Sequence, residues 1–385
     1  MRFAFLTEGN LFLQEEGKDL RAIESPFALA AVERESSRDA RHAWKSQGDA
    51  AGSRGYSIWG KQAGLATDGH QTMRHVAHGA GPDELLYTLA MTGSAGLFRY
   101  NLTTSEEQRM FHRQDFDACG LSCDRVNGQI VVASRGKETL GKLELIDETR
   151  RRAQITVGDG HDSNPSHDAG ARGIVYFQSS GIGRDEHGAI VALGPAAIHR
   201  LIQASGEMET VLEDDDWDFL SPKTDATGAL YYIRRPYAAR DDLPLGQKLK
   251  SFVLMPVHLA GAIFGFLDAF SRMFGKQSLR PEGKGPAIPV NQSRYATFHD
   301  TTIQLERVLN HRGKIDDHVQ LVPKTWELVQ RDASGDERVL AKHVVAFDVT
   351  PAGDLIYTDG LRVWQAGRPP RKLHAGHIIQ SVVIV

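Results

Sequence analysis

Acidic, amide and imidazole side chains are the residues of this sequence with the clearest capacity for chemistry. The candidate set is His78, Asp117, His161, Asp162, Asn164, Asp218 and His377. If the fold brings such groups together, they can bind a hard or borderline divalent cation. The same side chains can instead cap turns and hydrate a surface. The elements that position them decide between these alternatives.

Other common forms of chemistry lack their signatures here. The sequence contains no nucleophile elbow, no phosphate-binding loop, no dinucleotide fingerprint and no H-E-x-x-H zinc motif. The formal net charge of −4 predicts no nucleic-acid partner, because a nucleic-acid surface would need a basic stripe. The acidic run at residues 213–218 is typical of a solvated turn, or it attracts a basic partner segment.

The two cysteines, Cys119 and Cys123, are spaced neither as a redox pair nor as half of a zinc site. We expect them to be buried thiols in a reducing compartment. The apolar start of the chain, Met1–Leu6, is interrupted too early for a signal peptide. These features predict a cytoplasmic location.

One unit recurs along the chain: a polar turn with Asp and Gly, followed by a β-branched or aromatic run. Its copies lie at residues 81–87, 122–134, 164–177, 221–233 and 348–357. Each copy predicts a β-hairpin, because Gly supplies the turn conformation and Asp caps its backbone. Neighbouring copies are about 45 to 55 residues apart, the length of a propeller blade, except for a much longer final gap.

The third copy, from Asn164-Pro165 to Phe177, resembles the repeat of TolB-like and WD40-like propellers. That resemblance covers roughly residues 85–130, 160–235 and 340–385. It implies an architecture and no activity, since these families include scaffolds, peptidase-associated propellers and binding proteins.

We therefore predict an all-β, six-bladed propeller with helical insertions, in which a seventh blade over residues 54–66 is an alternative. Residues 380–385 are expected to form an innermost strand, beside which residues 1–6 and 10–14 complete a shared blade. The predicted organisation is a propeller from 1–24 and 81–385, a helix and Gly-rich connector over 25–80, and a helical, apolar insertion over 237–322. The long final gap is predicted to be one blade that carries a large insertion. The hairpin of this blade begins at 231–235 and resumes at 325–330.

The connector begins with a predicted helix, because Ser25 can cap it and Pro26 suits its first turn. This helix either lies against the ring or docks a partner through Phe27, Ala31 and Trp44. A second helix is predicted over 301–309, where the insertion returns to its blade.

The insertion contains an almost wholly apolar run from Phe252 to Phe274. On a helical wheel its few polar residues share one narrow stripe. The predicted contact residues are Phe252, Leu254, Leu259, Ile263, Phe264, Phe266, Leu267, Phe270 and Phe274. The inserted region itself, a groove on a protein partner, or the surface of a membrane could cover this face. Pro256, His258 and Asp268 disfavour a transmembrane span.

The predicted function is a non-catalytic interaction scaffold that docks a protein partner or a membrane surface through this insertion. The alternative is a metal-dependent hydrolase of the lactonase type, or a small-molecule sensor, using the mouth of the propeller channel. No cofactor is expected under the first hypothesis, and a divalent cation at the mouth under the second.

Overall fold

A computed structural model describes twelve stretches of the chain. They are residues 1–31, 33–34, 72–91, 93–136, 140–147, 149–184, 186–187, 190–237, 295–299, 301–304, 319–375 and 378–385. Six four-stranded antiparallel sheets in these stretches form a six-bladed β-propeller, as the repeats predict. In each blade the first strand given below is the innermost one.

Blades 1 to 3 cover the chain termini and the first half of the ring. Blade 1 contains β26 (Ile379–Ile384), β1 (Arg2–Thr7), β2 (Asn10–Glu15) and β3 (Arg21–Ile23). Blade 2 contains β4 (Thr72–His78), β5 (Glu84–Met91), β6 (Ser94–Asn101) and β7 (Glu107–Arg113). Blade 3 contains β8 (Asp117–Cys123), β9 (Ile130–Arg135), β10 (Lys142–Ile146) and β11 (Arg152–Gln154).

Blades 4 to 6 complete the ring. Blade 4 contains β12 (His161–His167), β13 (Ile174–Arg184), β14 (Ile190–Ile202) and β15 (Glu207–Leu212). Blade 5 contains β16 (Trp217–Thr224), β17 (Leu230–Pro236), β20 (Glu327–Arg331) and β21 (Glu337–Lys342). Blade 6 contains β22 (Ala346–Val349), β23 (Leu355–Thr358), β24 (Arg362–Gln365) and β25 (Arg371–Ala375). A separate hairpin, β18 (Tyr295–Phe298) and β19 (Thr301–Gln304), lies in the insertion.

The recurring Asp and Gly residues form the turns that the repeat predicts. Asp225 accepts hydrogen bonds from the backbone N–H of Thr227 at 2.8 Å and of Ala229 at 3.2 Å. Gly228 has a φ of 81°, in the left-handed region that favours glycine. Asp124 caps the corresponding turn of blade 3 through the N–H of Val126, at 2.8 Å. The innermost hairpins are therefore specified locally, by the turn residues themselves.

Apolar side chains hold each blade to the next. Leu6 and Val383 of blade 1 pack with Tyr87 and Phe98 of blade 2, and all four are almost fully buried. Comparable clusters join blades 2 and 3, 3 and 4, 4 and 5, 5 and 6, and 6 and 1. Face-to-face packing of blades around a ring buries both faces of every sheet.

The chain termini close the ring as predicted. β26 pairs antiparallel with β1, from Phe3↔Ile384 to Thr7↔Ile379. β1 then pairs with β2 over six residues. The two ends of the chain are thereby joined by backbone hydrogen bonds within one blade.

Two predicted boundaries are wrong. Residues 72–78 form the innermost strand of blade 2, so this part of the 25–80 connector belongs to the propeller. Its sequence, TMRHVAH, lacks the apolar pattern of a buried strand because polar side chains of this strand face the channel. Residues 301–304 form β19, where a helix over 301–309 was predicted, and they pair with 295–298 in a tight hairpin.

The helix after Ser25 begins as predicted. Residues 26–31 are helical, and the Ser25 hydroxyl accepts the Ala28 N–H at 3.1 Å. Phe27 packs on Phe98 with ring centroids 5.1 Å apart, so this side chain contacts the ring rather than standing out as an anchor.

The long gap in the repeat is an insertion between the second and third strands of blade 5. β17 pairs with β20 directly, as the sequence predicts. The apolar run with its nine predicted contact residues, Trp44 and the proposed seventh blade lie outside the described residues. The described part of the insertion contains a β-hairpin.

Candidate functional site in the propeller channel

The six innermost strands surround a cavity of about 780 Å³ along the axis of the propeller. Residues near the start of one innermost strand contact residues near the start of the next one, as Arg74 contacts Asp117. Residues near the ends of neighbouring innermost strands also contact each other, as Ser122 and His167 do. The strands therefore run in the same direction. We call the end where they begin the N-terminal rim and the end where they finish the C-terminal rim.

Five of the six innermost strands carry a β-bulge. The register shifts at 73–75 in β4, 118–120 in β8, 163–166 in β12, 220–223 in β16 and between β1 and β26. Asn164 and Ser221, each followed by Pro, have positive φ values of 47° and 53° at these bulges. Proline fits a bulge because its missing N–H is not needed there. Asn-Pro and Ser-Pro inside a strand-like run are thus a sequence signal for two of these five bulges, those of β12 and β16.

Asp117 lies at the N-terminal rim, where its carboxylate is shared by two arginines. Arg74 of blade 2 is 3.0 Å away and Arg135 of blade 3 is 2.6 Å away. The carboxylate thus connects two blades at a half-exposed position.

Asp162 and Asp218 are buried at the same rim. Asp162 accepts the Ser179 hydroxyl at 2.7 Å and lies 3.6 Å from the Lys142 ammonium of blade 3. Asp218 accepts the Ala196 N–H of blade 4 at 2.9 Å and pairs with Arg235, also at 2.9 Å. Both residues therefore link their own blade to the preceding one.

His161 and Asn164 line the cavity near these aspartates. The Nδ1 atom of His161 accepts the Gly141 N–H at 3.0 Å. The Asn164 amide donates to Gln178 at 3.0 Å, and Gln178 also accepts the Ser221 N–H at 2.9 Å. The predicted residues Asp117, His161, Asp162, Asn164 and Asp218 are thus all on innermost strands, at or near one rim.

His78 is separated from this group, because it is the last residue of β4 and lies at the C-terminal rim. His377 lies outside the described residues. The stretches described above contain no grouping of three or more His, Cys, Asp or Glu side chains that could hold a metal ion. The cation at the channel mouth stays a prediction, and the three aspartates have the hydrogen-bond and ion-pair partners given above.

A second set of polar residues, at the C-terminal rim, was not predicted. Lys223 of blade 5 pairs with Asp348 of blade 6 at 2.5 Å. Asp348 also accepts the Ile384 N–H of blade 1 at 2.7 Å, and the Ile384 carbonyl accepts a hydrogen bond from Arg125 of blade 3 at 3.3 Å. This chain of contacts connects four blades around the channel.

Three histidines of the channel, His75, His78 and His167, are neutral at physiological pH. Burial lowers the pKa of His78 to about 4, and the positive charge of Arg125 acts in the same direction. Burial also lowers the pKa of His75 and of His167 to about 4. His75 donates from Nε2 to the Ala118 carbonyl at 2.9 Å, which joins blades 2 and 3.

The sequence gave almost no signal for the polar contacts at the C-terminal rim. Lys223 and Asp348 are 125 residues apart, and Arg125 is 259 residues from Ile384. Lys223, Asp348 and Arg125 are each an ordinary charged residue in a turn or strand when the sequence is read locally. Arg125 follows Asp124 of the repeat turn, and this was its only distinguishing feature.

Comparison with known proteins supports the architecture. No protein-family model matches the chain, and no curated protein matches it. TolB from Acinetobacter baumannii superimposes with a TM-score of 0.51 at 10% identity, over 99% of this chain and 66% of that one. A chain of the nidogen/laminin complex superimposes with a TM-score of 0.50 at 10% identity, over 99% of this chain and 97% of that one.

The fold and its polar channel define a six-bladed β-propeller. The structural neighbours identify its architecture further as TolB-like. The chain spans just under two thirds of the length of the TolB chain. At these identities the likeness establishes the fold. Among the described residues, no helix is long and apolar enough to cross a membrane.

Proposed function

We propose that the protein is a non-catalytic interaction scaffold, which docks a protein partner through the apolar insertion of blade 5. The observation that supports this proposal is that blade 5 is complete without the insertion. β17 and β20 pair over five residues, from Leu230↔Arg331 to Arg234↔Glu327. A segment that adds apolar surface without completing a blade is available for contact with another molecule.

The composition of the insertion fits this role. Between Phe252 and Phe274 it supplies five phenylalanines besides several aliphatic residues. Aromatic side chains, phenylalanine among them, are enriched at protein interfaces. The nidogen chain that shares this fold was solved in a complex with laminin, and a contact role for this chain agrees with that precedent.

A protein groove suits the insertion better than a lipid surface. His258 and Asp268 interrupt the apolar run, and ionisable groups are costly in hydrocarbon. At the rim of a protein interface the same groups remain hydrated. Lys248 and Lys250 precede the run and would favour an anionic membrane surface, which is the alternative outcome of the test below. The proposal places the protein in the cytoplasm, in agreement with its two free thiols.

The test requires a deletion that leaves the ring intact. Phe298 is 3% exposed and packs with Leu321, Val322 and Trp326, so the end of the insertion contributes to the core. We therefore choose a deletion of residues 244–290, bridged by a Gly/Ser linker. A cooperative thermal unfolding transition at the wild-type temperature would show that the propeller is retained.

The readout is co-purification of partners, quantified by mass spectrometry, together with flotation on phosphatidylcholine and phosphatidylserine vesicles. We expect a stoichiometric protein partner with the full chain and its loss with the deletion. A double substitution, Phe264→Ser with Phe270→Ser, should also release the partner. Met208→Ser, at a 53% exposed position on β15, is the matched control and should retain it.

Two outcomes would contradict the proposal. Flotation that is lost with the deletion, without a protein partner, would assign the insertion to a membrane surface. A partner that stays bound to the deletion variant would place the docking surface on the ring itself.

A further inference from the structure

Arg125 is a cationic side chain in the channel without a carboxylate partner among the described residues. It lines the cavity at the C-terminal rim, and its one hydrogen bond there is from Nη2 to the Ile384 carbonyl, at 3.3 Å. Burial lowers the pKa of its guanidinium, and the charge of Asp348 partly offsets this effect. Asp348, however, is already bound by Lys223 and the Ile384 N–H. Most of the five N–H donors of Arg125 therefore remain available to a ligand.

His167 provides a second polar atom in need of a partner. Its Nε2 is buried and makes no hydrogen bond in the described structure. The Ser122 hydroxyl oxygen accepts the His167 backbone N–H at 3.0 Å and lies 2.9 Å from Nδ1. Because that oxygen already accepts one hydrogen bond, its own proton can be donated to Nδ1. In this tautomer Nε2 carries a hydrogen, and a buried N–H without an acceptor is costly.

The donor groups of these two residues fit a carboxylate better than a phosphate. Lys223 and Asp348 neutralise each other, and the buried His78 carries no charge at neutral pH. Among the described residues the guanidinium of Arg125 then has no carboxylate bound to it, and the adjacent carboxylates of Asp124 and Asp168 accept hydrogen bonds from the N–H groups of their own turns. A carboxylate matches both its charge and the planar geometry of its donors. A dianionic phosphate would be repelled by the nearby carboxylates Asp124 and Asp348.

We propose that the C-terminal rim of the channel binds a carboxylate, held by the guanidinium of Arg125 and the Nε2–H of His167. The ligand carries an apolar group as well, because Val126, which is 64% exposed, lines the cavity beside Arg125. The cavity of about 780 Å³ accepts either a small organic acid or the C-terminal residues of a peptide. The proposal is independent of the insertion and of its partner.

The experiment measures binding of four probes to the full chain by isothermal titration calorimetry. The probes are 4-methylpentanoate, acetyl-Ala-Ala-Leu with a free C-terminal carboxylate, the same peptide amidated, and inorganic phosphate. We expect one or both carboxylate probes to bind, and the amide and phosphate to bind at least 10-fold more weakly. Binding of the free peptide alone assigns the site to a chain terminus, and binding of 4-methylpentanoate alone assigns it to a small acid.

Substitutions locate the site. Arg125→Gln should weaken binding of the carboxylate probe by about 10-fold or more, since it removes a charged hydrogen-bond donor. Arg125→Lys preserves the charge and should weaken binding by a smaller factor, because it lacks the planar fork. If Arg125→Gln fails to fold, Arg125→Lys and His167→Phe test the same contacts. Arg74→Gln removes an equal charge at the opposite rim of the same cavity and should bind as the wild type does.

Four results would overturn the inference, and the first three concern the carboxylate probes and the two arginine variants. They are a lack of binding by both carboxylate probes, equal binding of the free and amidated peptides, and equal loss of affinity in Arg74→Gln and Arg125→Gln. Tighter binding of phosphate than of either carboxylate would also exclude it.

Discussion

The two rims of the channel are built from the same repeat, yet they use charged residues differently. At the N-terminal rim, Asp117, Asp162 and Asp218 each have a cationic partner and connect neighbouring blades. At the C-terminal rim, Lys223 and Asp348 form a pair of the same kind, whereas Arg125 lies in the cavity with a backbone carbonyl as its acceptor. Charged side chains with a partner of opposite charge hold neighbouring blades together. A buried charge without such a partner destabilises the ring, and a ligand of opposite charge can neutralise it.

The largest effect that tests this comparison is expected at Asp218, which is 5% exposed. Asp218→Ala removes the acceptor of both Arg235 and the Ala196 N–H. Because the largely buried guanidinium of Arg235 then loses the Asp218 carboxylate, we expect a loss of about 3–5 kcal/mol in the free energy of unfolding, measured in urea. Asp218→Asn keeps an acceptor for the N–H and should lose less.

Asp159→Ala is the control for this substitution. Asp159 pairs with Arg184 at an exposed position, so its loss should leave the urea midpoint unchanged. Equal destabilisation by the two substitutions would show that the ion pair at the N-terminal rim contributes no more to stability than an exposed ion pair on the surface.

A smaller effect concerns pH and the C-terminal rim. The pKa of His78 and of His167 is about 4 in the folded protein, below the ordinary value of 6.5. The unfolded chain therefore binds protons first, and stability present above pH 6.5 is lost as the pH falls towards 4. We expect a loss of about 1–2 kcal/mol per histidine between pH 7 and pH 5.

Urea unfolding at a series of pH values checks this expectation. The double variant His78→Gln with His167→Gln should show a flatter dependence than the wild type, and His187→Gln on an exposed turn should not. An unchanged slope in the double variant would mean that the two imidazoles are solvated in solution.

The smallest effect is expected at Arg125 itself. Arg125→Met removes an unpaired, partly buried charge and one long hydrogen bond. These contributions oppose each other, so the free energy of unfolding should change by less than about 1 kcal/mol in either direction. A loss comparable with that of Asp218→Ala would show that Arg125 is structural, and the difference between the rims would disappear.

The fold was largely predictable because its signals are local. Asp225 and Gly228 specify their turn within a few residues, and the Leu230–Ile233 run after them is buried as a strand. The first strand of blade 2 was missed because TMRHVAH lacks that signal. Its polar residues face a channel, which a local pattern does not distinguish from solvent.

The candidate site was predictable in part. The aspartates and His161 do lie on innermost strands near one rim, but His78 lies at the other. Their partners were not foreseen, since Asp218 is joined to the Ala196 N–H and Arg235 to the His299 carbonyl across long separations in sequence. The same residue types act as cation ligands and as ion-pair partners, so interatomic distances are needed to tell the two roles apart.

The amino-acid sequence determined by itself the turn residues, the hairpins and the closure by both termini, because each depends on contacts within a few residues or on a repeated pattern, whereas it left six and seven blades open. Tertiary structure alone decided which charges are compensated. Lys223 on β16 pairs with Asp348 on β22, whereas Arg125, in the turn after β8, has no carboxylate bound to it among the described residues. Electrostatic pairing depends on distances of a few ångströms between blades, which the closed ring establishes.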